Sequence, residues 1–268
     1  MMYKDNGHYY VDGALIDNLT VSKCRDLGGI PSVTTKLEYY SPPGLKFWAI
    51  EENLIAAYEI LNGNEMTIDE FIDRTREEFY RTHNHLVIGT LVHDILDKLI
   101  KNAVKMKEFN LFYRTYADTK IIELADSVYE AYQWFNDVSS GGVSEKIVYD
   151  KEKRIAGTAD FSGIIKFNGK RIRGGIDWKT KYVKRHPGFR KDGRKKSLGI
   201  KKDVKHQMQL GAYGAVEVWE AAYIVNISTN PDVPGIMVHE YSANDLVKGY
   251  KMFTGIAKTF DIAHGYIK

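Results

Sequence analysis

The sequence predicts an α/β protein: a central mixed β-sheet flanked by helices, with a helical lobe on its N-terminal side. Three observations carry this. Apolar residues recur at helical spacing through the first half. From about residue 143 the pattern turns to alternating, strand-like runs. An Asn168-Gly169 pair then sits between two such runs, the preferred two-residue hairpin turn. With 268 residues and no clean linker, the chain reads as one domain, 1–268, with a mainly helical part at 1–142 and an α/β core at 143–268.

Taken in order, HYYVDGALIDN reads as a small hairpin around Asp12-Gly13. The Pro-Ser-Val-Thr run at 31–34 suits a loop leading to a helix, and a second helix begins near Ile50. Residues 67–80 follow a Thr67 cap with Glu70 three residues later, a capping-box pattern. HLVIGTLVHDILDKLIKNAV and TKIIELADSVYEAYQWFNDV are further helices. Then come the strands SEKIVYD, RIAGTADFSGIIKF and KRIRGGIDWKT, the helix KHQMQLGAYGAVEVW, the strands AAYIVNIS and GIMVHEYS, and a closing helix from Asn244. Helices, three strands, helix, two strands, helix is an α/β order.

Composition narrows the function. The chain is 44% hydrophobic and 27% charged with net charge +3, ordinary for a globular protein with a sizeable core. No apolar run approaches the ~20 residues that cross a bilayer, and the polar opening MMYKDNGHYY lacks a signal-peptide core, so a cytoplasmic setting is expected. The single cysteine, Cys24, excludes a disulfide framework, a four-cysteine zinc site and a four-cysteine iron–sulfur cluster. Neither a Walker-type glycine loop nor a Gly-x-Ser-x-Gly elbow is present, and the histidines lack zinc-ligand spacing.

The Asn168-Gly169 turn sets a register in which opposed positions sum to 337. Phe161, Ile165, Ile176 and Trp178 then share a core face. Asp160, Ser162, Asp177, Lys179, Arg171 and Arg173 share the other. Asp160 and Asp177 are expected directly opposite one another. Like charges at cross-strand distance repel by on the order of 3 kcal/mol at an effective dielectric of about 20. A divalent cation between them turns repulsion into attraction, and hard oxygen ligands suit Mg²⁺ or Mn²⁺. Lys179 points the same way and is placed to hold an anionic reacting group. The alternative is a balanced surface cluster.

Between Lys179 and Lys205 lie twelve Lys or Arg and two Asp, interleaved with Tyr182, His186 and Phe189. Such a loop suits a phosphate backbone, and equally a solvated surface. His93 follows Gly89 by four on a helix. A glycine there costs about 1 kcal/mol against alanine and suggests close approach of another element. His93 reads as a metal ligand or as a satisfied surface histidine. Gln209 and Tyr213, at i and i+4, contact a substrate strand, brace the lysine, or form a polar helix edge. Glu145 opens the first strand and either completes the acidic cluster or is a solvated strand end.

As an ordered series, Gly89-x-x-x-His93, Glu145, GTAD ending in Asp160, IDWK with Asp177 and Lys179, and QLGAY with Gln209 and Tyr213 resemble the PD-(D/E)XK nuclease superfamily, specifically its RecB-like exonuclease branch. The segment IPSVTTKLEYYSPPGLKFWA resembles the mitochondrial genome maintenance exonuclease family and its phage relatives. The likeness covers residues 28–215. The resemblance implies a restriction-endonuclease-like core and a metal-dependent DNA exonuclease acting on single strands or DNA ends in replication, recombination or repair. An endonuclease of the same superfamily and a non-catalytic nucleic-acid-binding module are the alternatives.

The resemblance also assigns roles. Asp160, Asp177, the Trp178 carbonyl and His93 would bind Mg²⁺ or Mn²⁺. Glu145 would bind metal, water or a helper residue. Lys179 would orient the attacking water and stabilise phosphorane charge. Gln209 and Tyr213 would position the site and the strand. Ser32, Thr34 and Thr35 would bond phosphates, and Thr180, Lys181, Lys184, Arg185, Arg190 and Lys191 would line the DNA path. Relatives with an iron–sulfur cluster use four cysteines, which this chain lacks. A recombination or replication protein is the expected partner besides DNA. The expected setting is a bacterial or phage-infected cell, with an organelle as the other option.

Overall fold

The computed structural model describes residues 29–38, 87–183 and 198–267, together with the backbone of 4–5 and 8–9. Strands β1 (Lys4–Asp5) and β2 (His8–Tyr9) pair antiparallel, Lys4 with Tyr9, on either side of an Asn-Gly dipeptide that the sequence reading passed over. The expected hairpin at Asp12-Gly13, the helix from Ile50 and the helix at 67–80 lie outside the described residues.

Helix α1 (Val33–Glu38) is followed by helical residues 87–101, α2. A short 3₁₀ turn (Met106–Glu108) leads into α3 (Phe109–Tyr116), a helix the sequence reading did not place. The expected helix over 119–138 divides: its first turn, Thr119–Leu124, is 3₁₀, and α4 is Ala125–Val138. The five main strands are β3 (Ser139–Asp150), β4 (Ile155–Phe167), β5 (Lys170–Lys181), β6 (Ala221–Ser228) and β7 (Ile236–Ser242). Helix α5 (Val204–Glu217) joins β5 to β6, and α6 (Ala243–Ala263) closes the chain.

The sheet order is β3-β4-β5-β6-β7, antiparallel throughout except that β5 and β6 run parallel. A parallel pair needs a crossover, and α5 is it. Two apolar layers sandwich this mixed sheet. Val92, Ile95, Leu96 and Leu99 of α2 and Val128, Ala131, Tyr132 and Phe135 of α4 pack with Phe161, Ile165, Ile176, Trp178, Tyr223 and Val225 on one face. Phe135 meets Phe161 edge-on at 4.9 Å and Trp134 meets Trp178 at 6.4 Å. Met208, Leu210, Ala212 and Tyr213 of α5, with Leu246, Phe253 and Ala257 of α6, cover the other face over Val148, Ile155, Ala159, Ala222 and Ile224.

The second layer bears on the surface-cluster alternative. The polar face of the β4–β5 hairpin is not a solvent face: α5 covers its inner end. Ser162 and Asp177 are buried, while Arg171 and Arg173 at the outer end are exposed with their partners Lys166 and Ile164. Ser162 Oγ accepts from Trp219 Nε1 at 2.9 Å and donates to Glu217 Oε2 at 3.0 Å, which satisfies the buried hydroxyl. Helices α5 and α6 cross at Gly211 and Gly249, where a Cβ on either would collide with the other helix's backbone. Asp203 caps α5 by accepting from Lys205 N–H at 2.7 Å, and Ser242 with Asp245 forms a full capping box on α6.

Candidate active site

The 337 register holds along the hairpin from Phe167↔Lys170 to Phe161↔Ile176. There the ladder stops. Asp160 and Asp177 are therefore not a ladder pair, as the register alone had implied. Instead the strands part, and the Asp160 carboxylate enters the gap, where Oδ2 accepts the Trp178 backbone N–H at 2.6 Å. In a strand a residue's N–H and C=O point to the same edge. The Trp178 carbonyl is thus turned to the edge that Asp160 occupies.

A second distortion meets the first. Glu145 has φ +52° in the middle of β3, a left-handed conformation that a non-glycine residue adopts only under constraint. Its neighbours Ser144 and Lys146 pair with Phe161 and Ala159 on either side of Asp160. Sheet faces change hands at this step. Ile155 and Ala159 pack toward α5 and α6, while Phe161 and Ile165, of the same parity, pack toward α2 and α4. The switch explains how Asp160 meets a histidine from α2. It also corrects the placing of Glu145, which lies inside β3 rather than at its start.

His93 Nδ1 lies 3.5 Å from Asp160 Oδ1. Helix α2 approaches β5 closely through Gly89, where a Cβ would sit 3.1 Å from Thr180 Oγ1; this is the close approach that glycine implied. Asp177 is buried. Its Oδ1 accepts from Gln209 Nε2 at 3.0 Å, and Lys179 Nζ lies 2.7 Å from its Oδ2. That ammonium is near but not aligned, so Oδ2 has no hydrogen bond.

The electrostatics follow from this crowding. Burial pushes the Asp177 carboxyl up to about 6; Lys179 opposes the shift and Asp160 adds to it. Burial also works on Asp160, but His93 and Lys179 overcome it and hold that carboxyl below its ordinary value. For His93 and Lys179 burial lowers the pKa, yet the facing carboxylates outweigh it and both end above their ordinary values. Partial burial, Asp160 and Asp97 push Glu145 up to about 7. The residue is exposed, so the neighbouring charges are the firmer cause.

The remaining expected residues divide. Tyr213 is buried with its hydroxyl against Gly157, so it braces β4 three residues before Asp160. Ser32 is buried as the cap of α1: its Oγ accepts from Thr35 N–H at 3.0 Å and contacts the Thr34 and Thr35 hydroxyls at 2.8 Å each. Thr180 is half-buried and Lys181 exposed at the end of β5. Lys184, Arg185, Arg190 and Lys191, and most of the basic loop, lie outside the described residues.

Two residues beside the site and one buried cluster away from it escaped the sequence reading. Asp97, one turn beyond His93, accepts from Ser144 Oγ and from Lys101 Nζ, the latter at 2.7 Å. The i, i+4 spacing from His93 was the available signal. His206 on α5 is pushed down to about 4 by burial and by Lys179. Lys36, fully buried, bonds Asp261 at 3.1 Å and the Arg154 carbonyl at 3.0 Å, while Arg154 Nε reaches Asp261 at 2.9 Å. Nothing local in the sequence marks Lys36 as a core residue.

By donor type, two carboxylates, a backbone carbonyl and an imidazole fit a hard divalent cation. Asp177 Oδ2, buried and facing the Lys179 ammonium, is an oxygen that a cation beside that lysine would share. Among the described residues no three His, Cys, Asp or Glu side chains already form a group that would hold a metal ion. No described helix is long and apolar enough to cross a membrane.

The fold and site define an α/β protein with a five-stranded mixed sheet and a carboxylate–lysine–histidine cluster where two strands part. No family model and no curated protein sequence matches the chain. A solved structure, "Crystal structure of SSO0001", is similar at 19% identity over 62% of this chain and 74% of that one, with a TM-score of 0.26. A likeness at that score carries no argument about fold or function.

Proposed function

We propose that the protein is a metal-dependent deoxyribonuclease with a PD-(D/E)XK-type core, acting as an exonuclease on single strands or DNA ends. The observation that carries this is the grouping of Asp160, Asp177, Lys179 and His93 where β4 and β5 separate, with Lys179 on the Asp177 carboxylate. Asp160, Asp177, the Trp178 carbonyl and His93 would hold Mg²⁺ or Mn²⁺. Such an ion supplies Lewis acidity to the phosphoryl oxygen and lowers the pKa of the attacking water.

The chain's own groups do the rest. Lys179, kept protonated by its carboxylates, does not act as a base; it places positive charge where the phosphorane gains negative charge. Gln209 fixes the rotamer of Asp177 through its amide. Glu145 stands close enough to Asp160 to feel its charge and is placed to accept the water's proton. The basic stretch after Lys179 holds the backbone without reading sequence. The likeness of the ordered motifs to the RecB-like branch supports an exonuclease over an endonuclease.

The test is a time course with 5′- and 3′-labelled single- and double-stranded DNA and closed circular DNA, with Mn²⁺ or EDTA. Loss of label from ends, dependence on Mn²⁺ and an uncut circle are expected. A cut circle moves the reading to an endonuclease, and no cleavage of any substrate refutes catalysis.

A further inference from the structure

Beyond Lys179 the chain runs through Lys181, Tyr182 and Val183. Two hydrogen bonds pin this stretch to the β6–β7 connection. Thr229 N–H donates to the Lys181 carbonyl at 3.0 Å, and the buried Asn230 donates through Nδ2 to the Val183 carbonyl at 2.8 Å. The backbone at Tyr182 is therefore held from both sides, while the residue is 49% exposed. It borders a cavity of about 590 Å³ whose opposite wall is the 198–204 segment.

The cavity's charged lining is Lys181, Lys201, Lys202 and Asp203. Asp203 is engaged as the α5 cap, and Lys202 is anchored by the Glu240 carbonyl at 2.6 Å and over the Tyr241 ring at 4.7 Å. The balance facing the cavity is cationic. Its near end, Lys181, lies two residues beyond Lys179, ~7 Å along the strand. Asp203 is close enough to Lys179 to act on its charge.

An exposed aromatic on a pinned backbone, beside several lysines, recognises a flat π-system carrying an anion. A volume within the ~300–1,000 Å³ range of small-ligand pockets suits one such unit. Duplex DNA hides the faces of its bases in the stack, whereas a single strand offers them. We propose that this cavity is a nucleotide subsite next to the catalytic centre, taking one unpaired nucleotide of single-stranded DNA, its base on Tyr182 and its phosphate against Lys181 and Lys201. This rests on the nuclease reading and names the form of its substrate.

Fluorescence anisotropy of a labelled oligothymidine in EDTA tests it. Tyr182→Ala is expected to weaken binding about tenfold, the size of one lost base stack, while Tyr182→Phe retains it. An abasic oligomer of equal length and a blunt duplex should not respond to Tyr182→Ala. Lys201→Ala should weaken both the base-bearing and the abasic single strand and lower the salt slope by about one. Unchanged binding in Tyr182→Ala, or an equal loss on the abasic strand, overturns the subsite. Wild-type cleavage with Mn²⁺ is read in parallel. If wild type cleaves while Tyr182→Ala binds unchanged, the subsite is wrong and the nuclease reading stands. Wild type that neither binds nor cleaves DNA overturns both.

Discussion

Gln209 donates its side-chain amide to Asp177 Oδ1 at 3.0 Å, from a helix that lies across the sheet face bearing that aspartate. This bond, with Lys179 on the other carboxylate oxygen, holds a buried acid in one orientation. Removing it leaves an unsatisfied buried acceptor, at a cost of about 1–3 kcal/mol. Gln209→Ala should lower the thermal midpoint of the metal-free protein by several degrees and weaken Mn²⁺ binding, measured by calorimetry.

Lys179→Ala should reduce cleavage at least 100-fold, the scale of losing one charge-stabilising group in a transition state. Binding of DNA in EDTA should fall less than threefold. Cleavage at wild-type rate in this variant removes Lys179 from the chemistry.

Asp177 carries a pH signature with a definite sign. Its folded pKa, about 6, lies above its unfolded value. Its contribution to stability is therefore complete below the unfolded pKa and lost as pH rises to about 6. Asp177→Asn imitates the protonated form. In EDTA its midpoint should rise relative to wild type between pH 4 and 6 and then hold a constant lead, on the order of 3 kcal/mol at ~1.4 kcal/mol per pKa unit. A flat difference across that window shows that burial does not penalise this carboxylate.

Cation binding should release protons. A metal requires Asp177 ionised and His93 neutral, and both are raised in the metal-free protein. Mn²⁺ affinity should climb from pH 5.5 to 8. Titration calorimetry in two buffers of different ionisation enthalpy should give a positive proton release near pH 6.

The Lys36–Asp261–Arg154 cluster ties α1, the β3–β4 turn and α6 together away from the site. Breaking a buried ion pair from one side costs about 3–5 kcal/mol. Lys36→Met should lower the melting temperature by roughly 6–20 °C, taking 2–4 °C per kcal/mol. A shift below two degrees shows that Arg154 alone satisfies Asp261.

Local chemistry made much of this chain legible. The Asn168-Gly169 turn dictated the hairpin register, because a two-residue turn leaves one pairing. Strand β6 coincides with the AAYIVNIS run, since a strand buried on both faces is a continuous apolar stretch bounded by polar residues. Gly89 foretold a close contact, because a Cβ there would crowd Thr180 Oγ1 at 3.1 Å. Asp160, Asp177, Lys179, Gln209 and His93 were named from spacing and motif order. Asp97, Lys36 and α3 were not, because each is defined by partners distant in sequence or by packing that no local pattern encodes.

The sequence by itself determined the alternation, the caps and the tight turn, since these depend on residues a few positions apart. Only the tertiary structure decided where the β4–β5 ladder ends, that Glu145 adopts a left-handed backbone, and that the odd-numbered residues of β4 change faces at Asp160. Those outcomes depend on α2 and α5 packing from opposite sides of one sheet. Two helices far apart in the chain then bring His93 to Asp160 and Gln209 to Asp177, and the strands separate between them.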